Sequence, residues 1–410
     1  MTLLAINPRR DYPTISLVGL AHGTSHFFHL LLPTLFPWLM PEFGLNFTQA
    51  GALMTVFFVV SGIGQALSGI IVDRLGAARV LYAGLLMLSC AALLVGSAQN
   101  YPMLMMGAAL AGLGNSVFHP ADYTILNRRV SSARLGQAFS AHGLAGNAGW
   151  VLAPPVLVTL ASLGGWRVAA YGAALLGCAS LAVLVQARRL IAVDASATVT
   201  ATPSSRAGAP GRAGTASFLR LPAVWLCFGF FLCTSAAFGT LQNFAGPLLG
   251  HLYGMAPALA ASCLTAYLIG STCGTAAGGV YAKADRAHDR TIAWALSASA
   301  FAAALLATGH VPGVMVLPLL ATMGFGVGFT GPSRDLMVRK AATAQLGEAM
   351  LGRVYGFVYS GLDSGLALAP LLFGPWMDRG AFSAVLVGVA VLQVAAVFAT
   401  RQVGQVARAA

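Results

Sequence analysis

Charge is what this chain has least of. Asp, Glu, Lys and Arg make up 8% of its 410 residues, with only 11 acidic side chains, whereas 58% of the residues are hydrophobic. A soluble domain of that length needs more polar surface to cover itself, so the composition excludes a soluble globular protein and points to an integral membrane protein. Cysteine is scarce and unpatterned: Cys90, Cys178, Cys227, Cys233, Cys263 and Cys273 fall inside apolar runs without metal-type spacing and read as packing residues. No glycine-rich phosphate loop ends in Lys-Ser or Lys-Thr, so no ATP-driven motor is visible. Nothing in the chain reads as an enzyme, and no cofactor or resident metal is expected.

What is abundant is long apolar sequence. A span takes about 20 residues, and runs of that order fall at 14–39, 47–72, 78–98, 102–127, 136–161 and 167–187, then at 222–249, 256–281, 291–309, 313–338, 351–376 and 380–400. Twelve helices are the simplest count. With a cytoplasmic N-terminus, Arg9, Arg10, Arg74, Arg79, Arg128, Arg129 and Arg134 fall inside, as do nearly all later cations, and only Arg167 and Arg379 land outside. The positive-inside rule thus sets both termini in the cytoplasm of a cell inner (plasma) membrane protein, and it explains the net charge of +12 without nucleic acid. Residues 192–217 are rich in Ala, Thr, Ser, Pro and Gly and read as a cytoplasmic linker between an N-terminal six-helix bundle at 1–191 and a C-terminal one at 218–410. The first apolar run is too long for a signal-peptide core and lacks a clear small-residue cleavage site, so it is expected to stay uncleaved.

The two halves repeat each other. Gly69, Asp73, Arg74, Gly76 and Arg79 follow the second run, and a worn copy, Gly279, Lys283, Asp285 and Arg286, recurs with the Asp-Arg pairs 212 residues apart. Pro120 and Pro332 keep that offset, while Gly149 and Gly365, and Pro154 and Pro370, are each separated by 216. Parallel membrane repeats characterise transporters whose site lies between the halves near the midplane. In the motif, small glycines permit close helix approach and a tight turn, Asp73 can face a helix N-terminus, and the arginines can pair with carboxylates to latch one closed state.

With twelve spans and a two-fold repeat, that motif resembles the signature loop of the major facilitator superfamily over essentially the whole chain. The resemblance implies an all-α integral membrane fold of two pseudo-symmetric six-helix bundles and secondary active transport. A narrower resemblance lies at Gly112, Leu113, Gly114, Asn115, Ser116, Val117, Phe118, His119 and Pro120, which is similar to the fosmidomycin-resistance efflux branch. There the His-Pro pair is followed directly by glutamate. Here Ala121 holds that place and Asp122 comes next, turned about 100° around a regular helix. Gly143, Gly146, Asn147, Gly149, Pro154 and Pro155 resemble the glycine-proline pattern of antiporters in this superfamily, and serve equally as ordinary close packing with proline kinks.

His22, His26 and His29 recur at spacings of four and three, on one stripe of the first helix. They are candidates for binding substrate, for carrying a coupling proton, for metal binding on chemical grounds alone, or simply for hydrogen-bonding between helices; His29, nearest the outer side, also fits plain solvation. His119 and His142 are second-tier candidates.

Asp122, Arg334, Asp335 and Asp363 are costly inside spans and each needs a partner or water. The repeat sets Arg334 opposite Asp122, as an inter-half gate or, for Arg334, an anchor for an anionic substrate; the local alternative joins Asp122 to Arg74 or Arg79. Asp363 stands mid-span where the first half has Asn147, and is the leading proton-coupling candidate, against a structural aspartate at a helix crossing.

The expected function is proton-coupled efflux of a small organic molecule by antiport. The alternative is proton-coupled symport of a small organic anion held by Arg334 and protonated His26. The expected partners are substrate, protons and membrane lipid around a monomer.

Overall fold

The computed structural model describes residues 8–192, 221–282, 287–346 and 351–409, and every regular element among them is helical. The expected linker therefore lies outside the described residues, apart from Ala192, and so do Lys283, Asp285 and Arg286 of the second motif. The chain divides into two compact units, one of Met1–Leu45 with Val56–Ala209, the other of Asn46–Thr55 with Pro210–Ala410.

The first unit contains α1 (Pro8–His29), α2 (Leu31–Phe43), most of α3 (Phe47–Leu75), α4 (Ala77–Gly96), α5 (Tyr101–Asn115), α6 (Phe118–Arg129), α7 (Leu135–Gly164), α8 (Trp166–Gln186) and the short α9 (Arg188–Ile191). The second contains α10 (Pro222–Tyr253), α11 (Pro257–Tyr281), α12 (His288–Ala307), α13 (Gly313–Leu346), α14 (Leu351–Asp378) and α15 (Phe382–Ala409). The first turns of α3 group with the second unit. There the backbone N–H groups of Phe47 and Thr48 donate to the Asp378 carboxylate at 2.5 and 3.1 Å, capping the helix.

Eleven helical segments among the described residues are long and apolar enough to cross a membrane, with α1 and α2 counting as one. The fourth expected span is built from two helices, α5 and α6, each too short by itself. Proline causes both breaks. Pro33 lacks the N–H that would bond the carbonyl of His29, and Pro120 lacks the one that would bond Ser116. The Ser116 carbonyl instead accepts the Ser68 hydroxyl at 2.8 Å, a proton that Ser68 shares with Gly64 of its own helix.

Glycine sets the closest helix approaches. A Cβ on Gly149 of α7 would lie 2.0 Å from the carbonyl oxygen of Gly23 on α1, and one on Gly23 would lie 2.8 Å from that of Ala145. The second unit repeats the device between α14 and α10, where a Cβ on Gly365 would stand 2.5 Å from the Leu232 oxygen and one on Gly361 2.7 Å from the Phe228 oxygen. Behind this contact sits a core of Phe230, Phe231, Ile292, Leu296, Val358 and Ala396.

The motif after the second run divides unevenly. Gly76 makes the tight turn into α4 with φ 88, a left-handed conformation that glycine adopts without strain. Gly69 has open space where a Cβ would be, so the expected close approach is absent there. Asp73, Arg74 and Arg79 are exposed and form no ion pair among the described residues.

Candidate functional site

The α1–α7 contact carries a layer of imidazoles. His22, His26 and His29 occupy one stripe of α1, and His142, Gly146 and Gly149, spaced by four and three, occupy the facing stripe of α7. Gly146 makes the room: a Cβ there would lie 2.8 Å from the His26 ring and 3.0 Å from Cδ2 of His22. His22 stacks on His142 with centroids 3.6 Å apart, His26 lies 4.3 Å from His22, and Trp150 stacks on His26 at 4.4 Å.

The break between α5 and α6 delivers the acid to this layer. Asp122 is fully buried, with its Oδ2 3.0 Å from Nε2 of His142 and 3.4 Å from Nδ1 of His22. Its partners are thus histidines of the first unit and not Arg74 or Arg79. The Asp122–His142 pair crosses from α6 to α7 and was not legible as a pair, although His142 shares the glycine stripe that marks the face of α7 turned to α1. His119, one turn earlier on α6, is half-buried with its ring 5.0 Å from that of His22.

His29 is buried, which excludes plain solvation. Its Nε2–H donates to Oδ1 of Asn115 at 2.9 Å while Nδ1 accepts from the Trp150 indole at 3.4 Å, an arrangement that fixes the tautomer. Asn115 in turn donates to the Ser61 hydroxyl at 2.8 Å. Asn115 stood out in the sequence only as part of the Gly112–Pro120 motif, and Ser61 and Trp150 not at all, because each is an ordinary residue until the fold brings it to His29. Asn147, an expected site residue, is half-buried on α7 and belongs to no hydrogen bond of this layer.

In the second unit the Arg334 guanidinium lies over the Phe231 ring at 4.6 Å, with Tyr359 at 6.0 Å. The Asp335 side chain lies outside the described residues. Asp363 sits between Gly361 and Gly365, whose Cα atoms press on α10, so its side chain leaves the helix about 180° away from that contact. It is half-buried and has no hydrogen-bond or ion-pair partner among the described residues.

Residues 16–370 match the family model described as the Major Facilitator Superfamily. The chain belongs to that superfamily. Among its described residues are eleven helical segments long and apolar enough to cross a membrane, and its relatives are named as transport and resistance proteins. It is 29% identical over 146 residues to the fosmidomycin resistance protein of Escherichia coli (strain K12), an overlap of 36% of each chain. It is 27% identical over 126 residues to the probable L-galactonate transporter of the same organism, covering 31% of this chain and 28% of that one. The matched segments thus span about a third of the length of these curated relatives. A crystal structure of a mutant of the nucleoside transporter NupG shares the fold with a TM-score of 0.75 at 14% identity, covering 95% of this chain and 99% of that one.

Proposed function

We propose that this superfamily member is a proton-coupled antiporter that exports a small organic molecule by alternating access, as a monomer in the inner membrane with both termini cytoplasmic. Asp363 carries the reading: a carboxylate in the middle of a span, turned away from the α14–α10 contact, with no hydrogen-bond or ion-pair partner among the described residues. Ionisable residues inside a span are rare and mark ion and proton pathways. The similarity to a fosmidomycin resistance protein supports the outward direction.

The test uses a compound selected from a panel by its thermal stabilisation of the purified protein, then followed in proteoliposomes under an imposed pH gradient. Wild type moves the compound against its own gradient as protons move the other way. Asp363→Asn loses that accumulation and keeps counterflow exchange; full accumulation by this variant rejects the coupling role.

Arg334 favours a second reading, uptake of an organic anion together with protons. Its guanidinium rests on Phe231 and Tyr359, aromatic faces that hold a planar cation in place for a carboxylate, and one relative is a probable transporter of L-galactonate, a sugar acid. Arg334→Gln then abolishes anion uptake, whereas export of a neutral compound survives it.

A further inference from the structure

We propose that the second unit carries a binding site for one anionic phospholipid, with the headgroup held by Arg290 and Arg401 and an acyl chain lying along α12 and α13. The site depends on neither the substrate nor the direction of transport. One face of α12 sets it up. Arg290, Trp294 and Ala298 are spaced by four, so a cation in the first turn is followed by an indole and then by a small apolar residue on the same stripe. All three are exposed, Trp294 at 78%, on a helix long and apolar enough to cross the membrane. Their order is that of a bilayer leaflet: charge at the headgroups, Trp at the interface, apolar surface beneath.

Two cavities meet on that stripe. An apolar groove of about 620 Å³ between α12 and α13 has Trp294, Ala298, Phe325 and Phe329 in its walls and reaches Arg290. A second cavity, of about 420 Å³, is lined by Arg290 and Trp294 again, now with Asp289 and with Arg401 and Gln405 of α15. A guanidinium and an indole are thus common to a polar chamber and an apolar trough, which suits an amphiphile with its head in one and a chain in the other. The charge is complementary as well. Asp289 is buried with its carboxylate turned to α15, where a Cβ on Gly404 would lie 2.7 Å from its Oδ2. Arg290 and Arg401 are exposed and form no ion pair among the described residues. Guanidinium forks match phosphate oxygens, and basic pockets between membrane helices on the cytoplasmic side suit anionic headgroups. In the orientation proposed above, this end of α12 meets the cytoplasmic leaflet.

The experiment uses the full chain, delipidated in detergent and titrated with dioleoyl phosphatidylglycerol, with binding read by native mass spectrometry. Dioleoyl phosphatidylcholine, which has the same chains and no net charge, is the comparison. The expected result is a first phosphatidylglycerol bound more tightly than phosphatidylcholine. Arg290→Gln with Arg401→Gln removes that preference and weakens the first binding step about thirtyfold, the combined worth of two cations near a bilayer surface. Ala298→Trp, which fills the groove, also weakens it, and inorganic phosphate equimolar with the lipid does not displace it. Arg379→Gln leaves binding unchanged, because Arg379 precedes α15 and stands about 30 Å along that helix from Arg401. All these side chains are exposed, so the variants are expected to fold. As a second readout, phosphatidylglycerol raises the thermal stability of wild type and not of the double variant. Equal affinity for the two lipids, or undiminished phosphatidylglycerol binding by the double variant, overturns the headgroup site. Undiminished binding by Ala298→Trp, or displacement by phosphate alone, overturns the lipid as its occupant.

Discussion

Gly149→Ala is the sharpest test of how this fold places its histidines. The new Cβ would stand 2.0 Å from the carbonyl oxygen of Gly23, about 1.4 Å short of ordinary contact, and the obstacle is backbone, so no rotamer change relieves it. α1 and α7 must separate, and the His22–His142 stack, with centroids 3.6 Å apart, opens with them. Overpacking of this kind costs about 1–3 kcal/mol, and a backbone obstacle puts Gly149→Ala near the top of that range. Against it stands the better helix propensity of alanine, up to about 1 kcal/mol. The net is a loss of about 2 kcal/mol, or roughly thirtyfold in the folded population. Gly143, six residues earlier in the same helix, has open space at its Cβ position, so Gly143→Ala collects the propensity gain alone. The two variants should differ by about 3 kcal/mol in opposite directions from wild type. The assay is thermal unfolding of the detergent-solubilised protein, read as loss of the monodisperse peak on heating. Equal stability of the two variants would refute the argument that backbone contact, rather than glycine content, fixes the α1–α7 spacing.

Other substitutions test separate parts of the frame. Gly76→Ala forces a side chain into a left-handed turn and should lower stability by about 1 kcal/mol, while Gly69→Ala, in open space, should leave it within about 0.5 kcal/mol or raise it; the same thermal assay separates them. Asp11 is buried at the start of α1 and accepts the Ser131 hydroxyl at 2.7 Å, so Asp11→Ala should cost about 1–3 kcal/mol and Asp11→Asn, which keeps an acceptor, distinctly less. The Asp363→Asn transport phenotype completes the set: coupling lost, exchange retained.

The sequence was legible wherever one dimension suffices. Apolar runs and scarce charge specified a helical membrane protein, because a backbone in lipid must satisfy its hydrogen bonds within each segment. The offsets of 212 and 216 exposed the duplication, and the glycine pattern marked the faces that pack, as Gly149 on α1 and Gly365 on α10 show. The fourth span was harder: its apolar length reads as one helix, and only the unmet carbonyl of Ser116, created by Pro120 and taken up by Ser68, reveals the break.

That break is where tertiary structure took over. The stripe of His22, His26 and His29 follows from helical spacing alone, but the partners of those rings lie on other helices. His142 comes from α7, Asp122 and His119 from the displaced α6, and Asn115 from the end of α5. Spacing along the chain determines which residues share a face. Which faces meet, and at what distance, depends on the backbone approach that Gly23, Gly146 and Gly149 permit, and that approach gathers five imidazoles and one carboxylate into a single layer.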